Sequence, residues 1–148
     1  MEARELFELQ FEKFRLRVPK GLWYAPYDTW ARVEGDEAVV GITDFLQTKI
    51  GDIAYVIPED EAEFEQADMF CSLESFKATV DLTIPVSGTV MAFNSALDKN
   101  PELVNEDPYG AGWIMRVRLS AWEEDQELLL TPEQYFKAME EKVARELS

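Results

Sequence analysis

The chain has 148 residues, 47 % hydrophobic and 30 % charged, which fits one globular domain with at most a small appendage. Its net charge of −16 repels a phosphate backbone, which argues against nucleic acid and for solubility or encounter with basic faces of other proteins. With no histidine and a single cysteine, Cys71, it lacks His-paired nucleophiles, His metal sites, Cys-only zinc sites and a disulfide framework.

No apolar run approaches the ~20 residues of a membrane span, so no membrane is expected. The first twenty residues, MEARELFELQFEKFRLRVPK, are charged throughout and lack the apolar core of a signal peptide, so the cytoplasm is the expected location. Leu6, Leu9, Phe11, Phe14 and Leu16 are loosely amphipathic and predict a helix over about the first dozen residues. Pro19, Gly21 and Pro26 then break regular structure. WARVEGDEAVVG, Trp30 to Gly41, reads as a hairpin turning at Glu34-Gly35-Asp36-Glu37. Thr43 caps a short helix, Asp44 to Ile50, that stops at Gly51. A strand follows from Ile53 to Ile57, ended by Pro58, and then an acidic, solvated connection from Glu59 to Asp68.

Met69–Glu74 and Thr79–Ile84 are the next strands, and Val80, Leu82 and Ile84 keep the period of a half-buried one. Thr89 to Phe93 makes another. After a loop or helical turn at Asn100-Pro101 and the turn cluster NEDPYGAG (Asn105 to Gly112), Trp113 to Leu119 is the last strand. Thr131 and Pro132 open a final helix that runs to about Leu147. Short strands at regular spacing predict a small β sandwich or barrel with peripheral N-terminal, central short and C-terminal helices.

Between the two central strands lies Ser75-Phe76-Lys77-Ala78, and Lys77 is the only basic residue between Lys49 and Lys99. A tight hairpin there puts Lys77 at or near a solvated tip. An amine in water is poorly suited to Schiff-base or general-base chemistry, which needs desolvation. It is well placed for another enzyme to attach something to it. Spacing alone leaves that reading beside a plain surface lysine. Glu74 and Asp81 flank the amine. As a catalytic pair they are open to water, with nothing to raise one carboxyl against the other.

Six segments and one tryptophan carry a resemblance: WYAP (Trp23 to Pro26) with Trp30 after it, VVGITDF (Val39 to Phe45), GDIAYV (Gly51 to Val56), LESFKATVDL (Leu73 to Leu82), PVSGTV (Pro85 to Val90) and PELVNEDPYGAGW (Pro101 to Trp113). In this order they resemble the glycine cleavage system H proteins, lipoyl carriers of the biotinyl/lipoyl barrel-sandwich type. The resemblance implies a carrier domain over 23–148 behind an N-terminal extension, 1–22. It implies lipoate in amide linkage to Lys77, attached by a lipoate-protein ligase or lipoyltransferase. It also implies an arm that swings between partner enzymes, with no catalysis of its own. Glu74 and Asp81 would then help the lipoylating enzyme recognise the hairpin, or hold its geometry. Trp30, Tyr109 and Trp113 read most simply as core aromatics.

The match departs from the family where the arm's cargo is received. The run before the matching tryptophan, typically Ser/Thr-His-Glu-Trp, is Tyr27-Asp28-Thr29-Trp30 here, and the usual His or Tyr after the helix start is Phe45. After Lys77, Val80 replaces the usual serine while Asp81 is kept. A cationic aminomethyl cargo wants carboxylate and hydrogen-bond partners, and among these cleft candidates only Asp28 offers a carboxylate. Such departures are similar to those of the H-like lipoate-binding proteins of sulfur oxidation, which serve a heterodisulfide-reductase-like complex. Sulfur cargo is therefore the leading expectation. Service to the glycine cleavage enzymes is the alternative, and an unmodified scaffold or regulatory module with a bare Lys77 is a third.

Overall fold

The computed structural model describes residues 5–147. It opens with a β-hairpin, β1 (Leu6–Phe11) and β2 (Phe14–Pro19), where the residue pattern predicts a helix. Phe7, Leu9 and Phe11 alternate with Glu8 and Gln10, and Leu16 and Val18 alternate with Arg15 and Arg17. The period is therefore two, and it overrides the looser helical spacing. Glu12 turns the chain in the left-handed region, at φ 52°. The inward side chains find a partner in the C-terminal helix. Phe7 stacks on Phe136 at 5.4 Å, and Leu16 and Val18 are fully buried.

The remaining elements are β3 (Trp23–Tyr24), β4 (Thr29–Glu34), β5 (Glu37–Ile42), α1 (Asp44–Ile50), β6 (Ile53–Pro58), β7 (Glu63–Phe64), β8 (Met69–Ser75), β9 (Thr79–Thr83) and β10 (Gly88–Phe93). A 3₁₀ turn at Ser95–Asp98 leads to α2 (Leu103–Glu106), β11 (Met115–Leu119), α3 (Trp122–Asp125) and α4 (Pro132–Glu146). Two antiparallel sheets result, ordered β3-β4-β5-β11-β10-β7 and β6-β8-β9. They share one core. Val40, Ile42 and Val117 from the larger sheet join Val56, Leu73 and Leu82 from the smaller in a single buried cluster. The architecture is the expected mainly-β sandwich, with its first helix replaced by a hairpin. The acidic stretch Glu59 to Asp68 is largely exposed, as its charge requires. It also sends Phe64 into the core from β7, a strand the acidic composition hides.

A second buried cluster lies between β2, α1 and α4 and holds Trp30, Phe45, Tyr135 and Met139. Trp30 is fully buried there and donates its indole N–H to the carbonyls of Ile42 (2.9 Å) and Pro108 (3.2 Å). Gly41 makes room for it, because a Cβ at that position would sit 2.6 Å from the indole ring. The Thr43 hydroxyl caps α1 by accepting from the Leu46 N–H. At the far end of α4, Thr131 and Gln134 form a reciprocal capping box with Pro132 in the first turn.

Candidate functional site

β8 and β9 close into the tightest hairpin of the smaller sheet. Glu74 pairs with Thr79, and the Ser75 N–H donates to the Ala78 carbonyl at 2.8 Å. That leaves Phe76 and Lys77 as a two-residue loop. Neither residue has positive φ, so the loop lacks the Asn-Gly geometry that usually shapes so short a turn. Ser75 supplies the missing support. Its hydroxyl accepts from the N–H groups of Lys77 (3.3 Å) and Ala78 (3.1 Å), which ties the tip to its own base.

Lys77 is exposed, and its aliphatic stem passes over Gly51, 3.6 Å from where a Cβ there would stand. Glycine is required at that point by the backbone, since it ends α1 at φ 86°, while the lysine stem makes only ordinary contact there. Asn105 of α2 holds this floor in place. It donates to the carbonyl of Gly51 (2.8 Å) and the side chain of Gln47 (3.1 Å), and accepts from the Ile53 N–H (2.9 Å). Among the described residues no ion pair or hydrogen bond engages the Lys77 amine. An exposed amine on a braced tip suits covalent attachment of a lipoyl carboxyl, and no neighbouring carboxylate competes for it. Asp81 is occupied instead by the Ser72 hydroxyl at 2.9 Å, and Glu74 is half-buried beside a surface groove.

The four cleft candidates gather at the opposite end of β9. Tyr27 donates its phenol to the Ile84 carbonyl (2.9 Å), and Thr29, fully buried, donates its hydroxyl to the Thr83 carbonyl (3.0 Å). Asp28 stands at φ 73°, a left-handed conformation that aspartate tolerates. Its Oδ1 accepts from both the Tyr135 phenol and the Lys142 ammonium, each at 2.8 Å. The tyrosine's one proton is thus spent on Asp28, which leaves the Thr43 hydroxyl to donate to the Tyr135 oxygen at 2.8 Å. Lys142 also lies 4.7 Å from the centroid of Phe45, which is fully buried. Burial first, and then the Asp28 charge, pushes the Tyr135 phenol well above its usual range. Burial, followed by the charge of Asp125, pushes Tyr27 up to about 12.

The sequence-predicted residues therefore fall into two groups, with Lys77, Glu74 and Asp81 on the hairpin and Tyr27, Asp28, Thr29 and Phe45 beyond its base. Four further residues shape them: Ser75, Asn105, Tyr135 and Lys142. Asn105 lies inside the quoted segment PELVNEDPYGAGW, and Tyr135 and Lys142 are two helical turns apart on one face of α4. The free thiol of Cys71 is buried, and burial raises it to about 12, which removes it as a nucleophile. Among the described residues no cluster of three or more metal-ligating side chains forms, and no helix is long and apolar enough to cross a membrane.

Comparison with known proteins bears on this arrangement directly. The family model described as glycine cleavage H-protein matches residues 22–142. A glycine cleavage system H protein of Rubrobacter xylanophilus is 46 % identical over 126 residues, covering 84 % of this chain and 97 % of that protein. A probable glycine cleavage system H protein of Aeropyrum pernix is 39 % identical over 139 residues, covering 93 % and 96 %. The crystal structure of a glycine cleavage system H protein from Mycobacterium marinum superposes with a TM-score of 0.71 at 29 % identity, over 81 % of this chain and 97 % of that one. By sequence and by fold, the chain belongs to the glycine cleavage H-protein family, whose members are lipoyl carriers.

Proposed function

We propose that residues 23–148 form the carrier domain and that Lys77 is its attachment point. The ε-amine attacks an activated lipoyl carboxyl, an amide bond forms, and the activating group leaves with the bonding electrons. The amine's proton goes to solvent. A lipoate-protein ligase or lipoyltransferase catalyses this step, and the chain itself catalyses nothing. The observation that carries this reading is the Ser75-braced two-residue tip with an amine that none of the described residues engages. When attached, the dithiolane supplies reversible thiol chemistry, and the protein supplies a rigid, acidic surface from which the arm is presented.

For the cargo, we infer sulfur intermediates delivered to or from a heterodisulfide-reductase-like complex. What supports this is the state of the cleft candidates. Thr29 stands where the family has glutamate, its hydroxyl is spent on Thr83, and the Asp28 carboxylate already has an ammonium in Lys142. A cationic aminomethyl group finds no free carboxylate among Tyr27, Asp28, Thr29 and Phe45. The second reading, an aminomethyl carrier serving the glycine cleavage enzymes, is favoured by the names of the relatives above.

Intact-mass spectrometry separates these readings. The protein is treated with a lipoate-protein ligase, then with glycine and glycine decarboxylase beside an H protein as positive control. A lipoyl increment on Lys77 that gains no aminomethyl mass supports the sulfur reading. A stable aminomethyl increment overturns it in favour of glycine cleavage. Absence of any lipoyl increment removes the carrier reading and leaves a scaffold or regulatory module.

A further inference from the structure

The loop that carries Lys77 carries a second exposed residue, and it is apolar. Phe76 is 83 % exposed. Nothing in the turn requires a phenyl group there, since Ser75 provides the bracing and no positive φ is involved. A phenylalanine in water forgoes the burial that favours an apolar side chain. It is not isolated. On β6, Tyr55 is 63 % exposed and pairs in register with Glu74, at the same end of the sheet. Between them runs a groove of about 690 Å³. Its rim carries the carboxylates of Glu74, Asp98 and Glu102 against a single ammonium, Lys99.

We propose that this face is the docking surface of the enzyme that acylates Lys77, with Phe76 as the anchor and Tyr55 as its neighbour. The proposal rests on the carrier reading above. Reach selects the occupant. An acylating enzyme has to bring its catalytic centre to the Lys77 amine itself, one residue from Phe76. Enzymes that react with the far end of a finished arm have no such need. The chemistry of the face then describes the partner: an apolar socket for the phenyl ring, bordered by lysines or arginines that meet the three carboxylates.

The test uses the full-length protein, a lipoate-protein ligase, lipoate and ATP, with the lipoyl increment followed by mass. Phe76→Ala is expected to raise the KM for the carrier at least tenfold, Tyr55→Ala to raise it less, and Phe76→Leu to restore most of the loss. Raising NaCl from about 50 to 500 mM is expected to raise the parent's KM several-fold, because screening removes the charge complementarity. Two controls isolate docking from folding: the melting temperature, and the rate at which acetic anhydride acetylates Lys77, both expected to match the parent. A Phe76→Ala protein lipoylated within twofold of the parent overturns the proposal. So does an equal loss in chemical acetylation, which places the effect on the amine instead. A salt-independent KM overturns the basic rim. If the parent itself takes up no lipoyl mass, the carrier reading falls, and this surface falls with it. A parent that is lipoylated beside an unaffected Phe76→Ala sinks only the surface.

Discussion

The two ends of β9 are built on opposite principles. At the Lys77 end, the tip is held by two hydrogen bonds to one hydroxyl, and its side chains stand in water. At the Thr83 end, the side chains of Tyr27, Asp28 and Thr29 are each hydrogen-bonded, and α4 closes over them with Tyr135 and Lys142. The exposed end is easily altered without unfolding the chain, which suits a surface that other enzymes must reach. The closed end is part of the core, so any function there is coupled to stability. Mutation should therefore separate activity from stability at one end and not at the other.

Lys77→Arg gives the sharpest separation. Arginine keeps the charge and the exposure but offers no acylable amine, so uptake of lipoate is expected to vanish completely. Stability stays within about 0.5 kcal/mol of the parent, as for other surface substitutions. Urea titration and intact mass on the same samples check both halves. A variant that still gains lipoyl mass would move the attachment point elsewhere.

Lys142→Met breaks the closed end. It removes an ammonium whose partner, Asp28, is only 13 % exposed at its side chain. The carboxylate keeps Tyr135 but loses its counter-charge, which is expected to cost about 1–3 kcal/mol in urea unfolding. The same change frees Asp28 for an incoming cation. Glycine decarboxylase is therefore expected to load aminomethyl groups onto the lipoylated variant more readily than onto the parent. Equal loading in both would show that Lys142 does not set the cargo.

The difference between the ends also explains what was legible in the sequence. Local rules fixed the exposed end: alternation in Thr79 to Ile84, an isolated lysine between two strands, and turn residues around it. The Trp30 to Gly41 hairpin, the Thr43 and Thr131 caps and the final helix follow from similarly local signals, and all are present. The closed end depends on contacts between distant segments. Asp28 meets Lys142 across 114 positions, and no periodicity encodes that. The N-terminal segment is ambiguous in sequence because its apolar residues satisfy a loose helical spacing as well as strict alternation. Only packing of Phe7 and its neighbours against α4 decides between them. Phe64 was hidden for a related reason, as one apolar residue in an acidic run carries no period at all.

Smaller effects probe how the exposed tip is held. Ser75→Ala deletes the acceptor shared by the Lys77 and Ala78 N–H groups and returns both to solvent. Because the tip is exposed, the loss is expected to be under about 1 kcal/mol. Backbone disorder at the tip should still slow lipoylation a few-fold, with amide exchange at Lys77 and Ala78 rising in parallel. Faster exchange without slower lipoylation would mean that the enzyme orders the tip by itself.

The smallest expected effect falls between the two ends, at Cys71. It lies in β8, the same strand that leads to the tip, yet its side chain faces the shared core and is fully buried. Burial raises the thiol to about 12, so at pH 8 almost none of it is thiolate in the folded protein. Access and ionisation both oppose reaction, and each alone would slow it. Iodoacetamide at pH 8 is accordingly expected to leave the native protein unmodified over hours and to modify it once in 8 M urea, with mass as the readout. That outcome matters for a carrier that trades in thiols and disulfides. It means that the folded chain offers its partners no thiol from the strand beneath the tip. Rapid native alkylation would instead show that β8 opens on its own, and the contrast between an exposed tip and a closed base would then extend into the strand that joins them.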